Sequence, residues 1–599
     1  TRGVAAQHAS LSRWRSPVRI RSGPPSIASP HAPSARPDGA FLYPSHVSEG
    51  RPSTLRRRLP ALLAAAAIVL VALPAGAAGL LQPAPATVAP AGPAASLPSP
   101  SLIPDPTAAP TPFAPSRPGP TPTPRPGQHV TIVPVTDFRS PYAVTGRRDL
   151  AAIVANAPDR RFAALELVAA DAETILALLG LDRAALGRRL VVAPDAGALV
   201  ADLAANRGRL AFLRAGDVSP AVAALAWGDR ALFGFGRVPS LADWPLTITA
   251  PAAAAPSAAY DPAAAWTLFA AGDILLDRGV ELAMRGSPRG AHFPFDGGTV
   301  DITGRCRDCS PFGWDLPYIR RTGHDGAMRA RIGSADLAIA NFENPAPDRF
   351  RFHSQGTVFS ANPARIEGLV AAGLDWVSLA NNHIGDAGRA GILQTMANLD
   401  EAGLRNSGAG RNARGARTPA TFEVGGRTIA LLAYDAIAGV YAAGRDSVGS
   451  ARLTAAALEA DVARAREEGA DVVIVFPHWG VEYDATPSAS QRRLARLAID
   501  AGADMVIGNH AHWAAAMETY KGRPIWYALD NFVFDQTWSE LTMEGITLEL
   551  TFSGSRLVQA RMQPHLILDR AQPNLLDTAG DGRVVLGQVF DASEGLLDW

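Results

Sequence analysis

The segment Ala501–Trp513, which reads AGADMVIGNHAHW, decides the fold predicted for this chain. It closes a helix at a glycine, continues as a short apolar strand and ends in a polar loop that carries His510 and His512. The same unit occurs twice more, as AGLDWVSLANNH at Ala372–His383 and as EGADVVIVFPHWG at Glu468–Gly480. Short apolar strands that alternate with helices predict a parallel sheet with both faces covered.

The polar tips of these three units predict a ligand site. In a parallel sheet of this kind, the loops that follow the carboxyl ends of the strands form the binding site, so the tips should meet at one edge. The tips carry Asn382, His383, His478, His510 and His512. Imidazole and amide groups that converge in this way indicate a metal site.

Two earlier segments have the same form and add carboxylates. TLFAAGDILL, at Thr267–Leu276, is an apolar strand with Asp273 near its end, and a second strand, Ala335–Ala340, runs into Asn341 and Glu343. A two-metal centre requires this mixture, because charged oxygens offset two divalent ions and imidazoles complete each coordination shell. We therefore expect one or two divalent ions here, Mn, Zn, Mg or Fe.

Six motifs in consistent order give the chain a family resemblance. They are GDI (272–274), NFENP (341–345), ANNHIGDAG (380–388), HWGVEY (478–483), GNHAH (508–512) and DNFVFDQ (530–536). This order, over about residues 266–538, resembles the CapA family of poly-γ-glutamate capsule synthesis proteins. The resemblance implies an α/β fold, a layered α/β/β/α domain of the calcineurin-like metallophosphoesterase type. It also implies a metal-dependent hydrolase or transferase that acts in synthesis or export of a capsule polymer.

The resemblance implies a role for each residue at the strand tips. It assigns metal binding to Asp273, Glu343, Asn382, His478, His510 and His512. Glu343 takes the position of a bridging carboxylate, and His383 lies near the substrate as an acid. Two further residues are candidates for catalysis. Asn341 either bonds a substrate oxygen or caps its loop, and Glu482 either orients His478 or forms a plain salt bridge.

Three positions depart from the usual pattern of such phosphatases. Leu275 stands where the first strand usually carries a histidine, the bridging residue is Glu343 rather than Asp, and Asp530 replaces the glycine of a Gly-Asn-Phe motif. These departures leave one ion with fewer ligands. A non-catalytic, membrane-tethered scaffold of a capsule complex therefore stays open as the alternative to an enzyme.

The N-terminal sequence predicts export. Arg56–Arg58 precede an apolar run, Leu59–Leu81, that is long enough to span a bilayer, so residues 56–81 are predicted to be a signal peptide or a membrane anchor. Residues 1–55 lack periodicity and are predicted to be irregular, and either cytoplasmic or untranslated. Residues 82–128 are rich in Pro and should form an extended linker. The expected location is extracytoplasmic, anchored or secreted.

Three folded regions are predicted beyond this linker. They are a small α/β domain at 129–248 without a readable role, the CapA-like domain at 266–552 and a β-rich tail at 553–599. Within the second region, residues 285–326 are expected to be an irregular insertion. Its Cys306 and Cys309 favour a local disulfide over zinc, because one pair cannot fill four zinc positions.

The charge balance limits the partners. The chain has 599 residues, and its 56 Lys and Arg residues equal its 56 Asp and Glu residues. A net charge of zero gives no long-range attraction for nucleic acid, which is not an expected partner. The expected partners are an anionic polymer such as poly-γ-glutamate, other membrane proteins of capsule synthesis, and the membrane itself through the N-terminal segment.

Overall fold

The computed structural model describes residues 129–249 and 260–598. The predictions for residues 1–55, 56–81 and 82–128 fall outside these ranges and stay predictions. Among the described helices, none combines the length and the apolar character that crossing a bilayer requires.

The first part of the described chain, residues 129–249, is an α/β lobe that we name the N-terminal lobe. Its strands are β1 (His129–Asp137), β2 (Val144–Thr145), β3 (Ala164–Val168), β4 (Leu190–Ala193), β5 (Arg209–Arg214), β6 (Val222–Ala224), β7 (Ala226–Trp227) and β8 (Thr247–Thr249). Its helices are α1 (Arg147–Ala155), α2 (Ala172–Leu179), α3 (Arg183–Leu186) and α4 (Ala196–Ala205). The main sheet runs β4-β3-β5-β1-β6, with β8 also paired to β1.

Residues 260–598 form the main lobe. Its strands are β9 (Ala265–Ile274), β10 (Thr299–Cys306), β11 (Leu316–Gly323), β12 (Leu337–Phe342), β13 (Trp376–Ser378), β14 (Arg405–Ser407), β15 (Ala409–Gly410), β16 (Ala420–Val424), β17 (Arg427–Asp435), β18 (Gly449–Ser450), β19 (Val472–His478), β20 (Met505–Ile507), β21 (Met517–Tyr520), β22 (Arg523–Trp526), β23 (Asn531–Val533), β24 (Glu544–Ser553), β25 (Arg556–Leu568) and β26 (Gln572–Leu576). Its helices are α5 (Arg278–Gly286), α6 (Ala327–Ser334), α7 (Ile366–Ala372), α8 (Gly388–Glu401), α9 (Ala413–Ala416), α10 (Ala455–Glu467), α11 (Ala489–Asp500), α12 (Glu540–Met543) and α13 (Gly582–Ala592).

Two sheets face each other in the main lobe. The larger runs β11-β10-β26-β25-β24-β9-β12-β13-β14, with β23 paired to β9, and the smaller runs β16-β17-β19-β20-β22-β21. One apolar core lies between them, where Leu268 and Ile339 of the larger sheet join Ile474 and Ile507 of the smaller one. Helices cover the outer face of each sheet. The mixed α/β class predicted from the sequence is confirmed.

The three repeated units become helix–strand pairs, as their sequences indicate. In the third unit, α11 begins at a capping box in which Ser488 and Gln491 each bond the other's backbone. After the helix ends, Gly502 has a φ of 110°, a conformation that an L side chain would oppose. The chain then enters β20, which is buried at every position. Gly373 and Gly469 turn the chain in the same way after α7 and α10.

Two regions differ from their predicted form. The insertion at 285–326 is not irregular, because β10 and β11 pair as an antiparallel hairpin, and the Cys306–Cys309 disulfide follows β10 as expected. The tail at 553–599 contains β25 and β26 but also the helix α13. β25 pairs along its length with β24, so the tail completes the larger sheet. The helix was missed because its buried residues are few, among them Val585 and Val589.

The N-terminal lobe packs against β24 and β25 of the main lobe. Val558 of β25 is buried within the core of the N-terminal lobe. Arg556 donates to the carbonyl of Val218 at 2.8 Å, and the Thr551 hydroxyl accepts from the backbone N–H of Gly234 at 2.9 Å. These contacts leave the opposite end of the larger sheet, at the carboxyl ends of β9 and β12, available for a site.

Candidate metal centre

Neighbouring strands deliver the predicted ligands to one edge. Asp273 of β9 lies in register with Asn341 of β12 and with Asn531 of β23. On the facing sheet, His478 ends β19, and a bridge joins it to Asn509 in the loop that follows β20. The strand tips therefore converge because both sheets run their parallel strands toward the same edge.

The loop that carries His510 and His512 is held in an unusual conformation. Both residues have positive φ angles, 99° and 54°, which non-glycine residues adopt rarely. The backbone N–H of His510 donates to Asp273 Oδ2 at 3.1 Å, which ties the loop to β9. Such strain persists only where the surrounding structure enforces it, and it is concentrated at functional sites.

Close packing fixes the position of Asp273. A Cβ atom on Gly272 would lie 1.7 Å from the carbonyl oxygen of Asp530, so only glycine fits there. The same carbonyl accepts the backbone N–H of Asp273 at 3.0 Å. In the first motif, Gly272 is therefore required because two backbone segments approach closely, and Asp273 supplies the carboxylate.

His478 stands at the centre of a set of lone-pair donors. Its Nε2 atom lies 2.7 Å from Asn382 Oδ1, 3.1 Å from His510 Nδ1 and 3.4 Å from Glu343 Oε1. Its Nδ1 atom lies 3.2 Å from Asn341 Nδ2, which also donates to Asp273 Oδ1 at 2.8 Å. Oxygen and nitrogen atoms that point at one another in this way fit a shared cation.

Glu343 links two candidate ion positions. Its two carboxylate oxygens are buried and have no hydrogen-bond partner among the described residues. One group of possible ligands is Glu343, His478 and His510, and the other is Asp273, Glu343 and His512. In each group the ligand atoms lie within 4.8 Å of one another. The residues present therefore fit two divalent ions that share one carboxylate.

The protonation of these groups agrees with cation binding. Burial raises the pKa of Glu343 to about 7, and burial together with the charge of Glu343 raises the pKa of Asp273 well above its usual value. Burial lowers the pKa of His478 and of His510, and it lowers the pKa of His512 to about 3. Neutral imidazole is the form that binds metal, and a nearby cation would return both carboxyls to their ionised form.

His383 lies beside the two groups rather than within them. Its Nδ1 atom is 2.9 Å from Asp386 Oδ2, and its ring packs on Phe359 with centroids 4.0 Å apart. Burial opposes its charged form, but Asp386 and Glu343 outweigh that effect and raise the pKa of His383. Asp386 therefore holds the imidazole of His383 in place and favours its charged form.

The two candidates for catalysis, Asn341 and Glu482, lie in different environments. Asn341 is fully buried between Asp273 and His478 and contacts both of these candidate ligands. Glu482 is exposed, and no hydrogen bond or ion pair joins it to His478 within the described ranges. The negative charge of Glu482 still acts on His478, where it opposes the lowering of the pKa that burial causes.

Sequence reasoning missed a cation at the site. The Arg278 guanidinium lies over the rings of Phe359 and Phe534, 4.7 and 5.7 Å from their centroids, and pairs with Asp535. Phe534 itself packs on His512, with ring centroids 5.0 Å apart. Arg278 also has a positive φ of 50°. The DRG sequence after β9 gives no chemical signal, and only the fold brings this arginine to the site.

Two more buried side chains join the site. Asn531 Oδ1 lies 2.8 Å from His512 Nδ1, so the DNF motif positions a ligand. Neither side-chain atom of Asn509 has a partner among the described residues. Leu275, at the position of the missing histidine, is buried in an apolar cluster with Phe359 and Phe534. That position contributes no ligand.

Comparison with known proteins identifies the family. The family model described as bacterial capsule synthesis protein PGA_cap matches residues 267–536. The capsule biosynthesis protein CapA of Bacillus anthracis is 32% identical over 232 residues, which are 37% of this chain and 56% of that protein. A probable polyglutamine synthesis accessory protein of Mycobacterium tuberculosis is 30% identical over 325 residues, 50% of this chain and 84% of that protein.

The matched proteins differ in how much of their length this chain covers. The chain spans about half the length of the Bacillus relatives that it matches, 56% in Bacillus anthracis and 55% in Bacillus subtilis. The crystal structure of a 5'-nucleotidase precursor from Thermus thermophilus is 14% identical, over 55% of this chain and 58% of that one, with a TM-score of 0.30. The Mycobacterium relative is matched over most of its length, and this chain belongs to the CapA family of bacterial capsule synthesis proteins.

Proposed function

We propose that this protein is a metal-dependent hydrolase or transferase of the calcineurin-like metallophosphatase type. It acts in the synthesis or export of an anionic capsule polymer, for which poly-γ-glutamate is the family's example. The supporting observation is the sharing of Glu343 between two groups of ligands. A buried carboxylate that has no hydrogen bond to either oxygen is costly, and a cation bound between these two groups would remove that cost.

The chain's own residues divide the work of such a reaction. Divalent ions bound here would supply Lewis acidity to a phosphoryl or acyl oxygen and would activate water. Asn341 and Asn531 hold His478 and His512 in fixed orientations. His383 is bonded to Asp386 through Nδ1, so its Nε2 atom is the one that donates a proton to a leaving group.

Arg278 supplies charge recognition in this proposal. Its guanidinium is a fixed cation, held over two aromatic rings and by Asp535, beside the ligands of the second group. The fork of an arginine fits a carboxylate or a phosphate better than a lysine does. An anionic substrate is therefore retained near the ions while His383 protonates the departing group.

The decisive experiment measures metal content and turnover together. Purified protein is loaded with Mn²⁺, Zn²⁺ or Mg²⁺, its metal content is determined by mass spectrometry, and hydrolysis of a phosphate ester and of poly-γ-glutamate is followed. The double variant His478→Ala/His510→Ala should lose both metal and activity. His324→Asn, at an exposed turn, is the matched control and should keep both.

Two outcomes would contradict the catalytic proposal. Unchanged turnover in the double variant would place the chemistry elsewhere. Wild-type protein that takes up no divalent ion would favour the alternative, a non-catalytic scaffold tethered in a capsule complex.

We also propose an extracytoplasmic location, with other membrane proteins of capsule synthesis as partners. The support is in the sequence, where Arg56–Arg58 precede the apolar run and a Pro-rich segment follows it. Fractionation of cells that express the full chain tests this, with N-terminal sequencing of the product to separate an anchor from a cleaved signal. Recovery of the protein in the cytoplasmic fraction would refute it.

A further inference from the structure

We propose that a cavity between the two lobes is a binding site for a compact organic anion with an apolar body. The cavity has a volume of about 150 Å³. Its walls come from the loop after β1 (residues 138–143), from β25 (residues 560–563) and from α13. None of its lining residues belongs to the metal centre, so this inference does not depend on the proposed function.

Positive charge dominates the cavity wall. Arg139, Arg331 and Arg561 line the cavity, and Glu549 is the lining residue with a carboxylate. Glu549 bonds Arg331 at 2.8 Å and stands opposite Arg561 in the β24–β25 register. Asp137 approaches Arg139 to 3.7 Å but does not line the cavity. Even with Asp137 counted, the guanidinium groups outnumber the carboxylates.

The same wall has donors without acceptors. The Nε atoms of Arg139, Arg331 and Arg561 are buried and have no hydrogen-bond partner among the described residues, although Asp137 lies 3.7 Å from that of Arg139. Trp526 also lines the cavity and is 1% exposed. Its indole Nε1 is likewise buried without a hydrogen-bond partner among the described residues. A buried donor that loses water without gaining an acceptor is destabilising. A carboxylate or phosphate offers only acceptors, so it is the group that satisfies these donors.

Burial makes the charge imbalance costly. Burial lowers the pKa of Arg561 and that of Arg139, because both guanidinium groups lose solvent. Arg561 donates to the backbone carbonyl of Ala224, which carries no charge, and Glu549, which also pairs with Arg331, offsets only part of the effect of burial. Uncompensated buried charge is strongly unfavourable, whereas a bound anion would pair with it at short range.

The remaining wall defines the body of the ligand. Phe138 and Phe590 pack edge to face with ring centroids 5.8 Å apart, and Met562, Leu586 and Trp526 complete an apolar surface. A cavity of about 150 Å³ is the size that accommodates a benzene ring. The ligand class is therefore a small aromatic or branched aliphatic acid, not a polymer segment.

A ligand here would bridge the lobes. The cavity is bounded by direct contacts between them, since Thr578 donates to the carbonyl of Pro141 at 2.7 Å and Arg561 donates to that of Ala224. An anion bonded to Arg139 of one lobe and Arg561 of the other adds a further connection. Its binding should therefore stabilise the whole protein against unfolding.

The test uses the full chain and defined probes. Benzoate, cyclohexanecarboxylate and phenyl phosphate are titrated by calorimetry, with benzyl alcohol as the neutral analogue of matched size. At least one anion should bind and raise the melting temperature, whereas benzyl alcohol should not. Arg139→Gln, in a side chain that is 18% exposed and so tolerant of change, should weaken binding about tenfold.

Two controls identify the site. Arg320→Gln removes an exposed arginine of the β10–β11 hairpin and should leave binding unchanged. The His478→Ala/His510→Ala variant should bind benzoate as the wild type does, which separates this cavity from the metal centre. The proposal is overturned if no anion binds better than benzyl alcohol. It is also overturned if Arg139→Gln binds the anions as tightly as the wild-type protein.

Discussion

The metal centre and the cavity between the lobes are opposite in charge, although both bury polar groups that lack partners. At the metal centre, Asp273 and Glu343 are carboxyls surrounded by neutral imidazoles. In the cavity, Arg331 pairs with Glu549, and Arg561 stands opposite that carboxylate in the β24–β25 register. The sign of the surplus buried charge therefore indicates the kind of ligand that is missing. It indicates a cation at the metal centre and an anion in the cavity between the lobes.

The largest effect is expected from Glu343→Gln. The neutral amide cannot bridge two ions, so turnover should fall about a thousandfold, since even loss of a residue behind a metal ligand typically costs roughly 10- to 100-fold. The metal-free protein should instead gain about 1 kcal/mol of stability, because a buried carboxylate without partners is removed. Urea unfolding with a chelator measures the second effect. A metal-free Glu343→Gln variant that is less stable than the metal-free wild type would contradict the idea that this buried carboxylate destabilises the protein.

The same exchange at Glu549 should change the stability in the opposite direction and make the protein less stable. Glu549→Gln keeps an oxygen for the N–H of Phe235 but removes the charge that pairs with Arg331. The unpaired guanidinium should lower the free energy of unfolding by ~2 kcal/mol. Urea unfolding tests this, and benzoate should restore part of the loss. An unchanged urea midpoint would show that solvent already offsets the charges of Arg331 and Arg561.

Arg278→Lys should have a moderate effect. The ammonium keeps the positive charge but loses the planar fork, so KM for an anionic substrate should rise about tenfold while metal content stays the same. Steady-state kinetics with metal analysis separates the two quantities. A fall in metal content would mean that Arg278 supports the ligands rather than the substrate.

The smallest effect is expected at the surface. Arg320 pairs with Asp301 on the exposed hairpin, where both side chains are well solvated. Arg320→Gln should change the free energy of unfolding by less than ~0.5 kcal/mol. Thermal unfolding checks this value. A larger change would contradict the idea that an arginine needs a charged partner only when it is buried.

The strand tips of the candidate metal centre can be read from the sequence because the information that specifies them is local. Each helix–strand unit carries its own glycine turn, apolar strand and polar tip, so His478 and His510 are readable in short motifs. Parallel pairing then places all tips at one edge without further detail. The prediction that Glu482 either orients His478 or forms a plain salt bridge stays a prediction, because motif proximity does not give side-chain direction beyond the turn at Gly480.

The cavity between the lobes could not be read from the sequence. Arg139 and Arg561 are more than four hundred positions apart in the chain, and each alone resembles an ordinary surface arginine. Only the packing of the N-terminal lobe on β24 and β25 buries them together. The β10–β11 hairpin was missed for a related reason, since half-exposed strands lack a continuous apolar signal.

The pairing of β9 has a consequence for synthesis on the ribosome. β9 carries Asp273 and is translated at residues 265–274, but its antiparallel neighbour β24 spans residues 544–553. Until that late segment emerges, one side of β9 is an open strand edge that can pair with other nascent chains. β9 therefore lacks one of its partner strands during most of translation, and the larger sheet can close around it only near the end of synthesis.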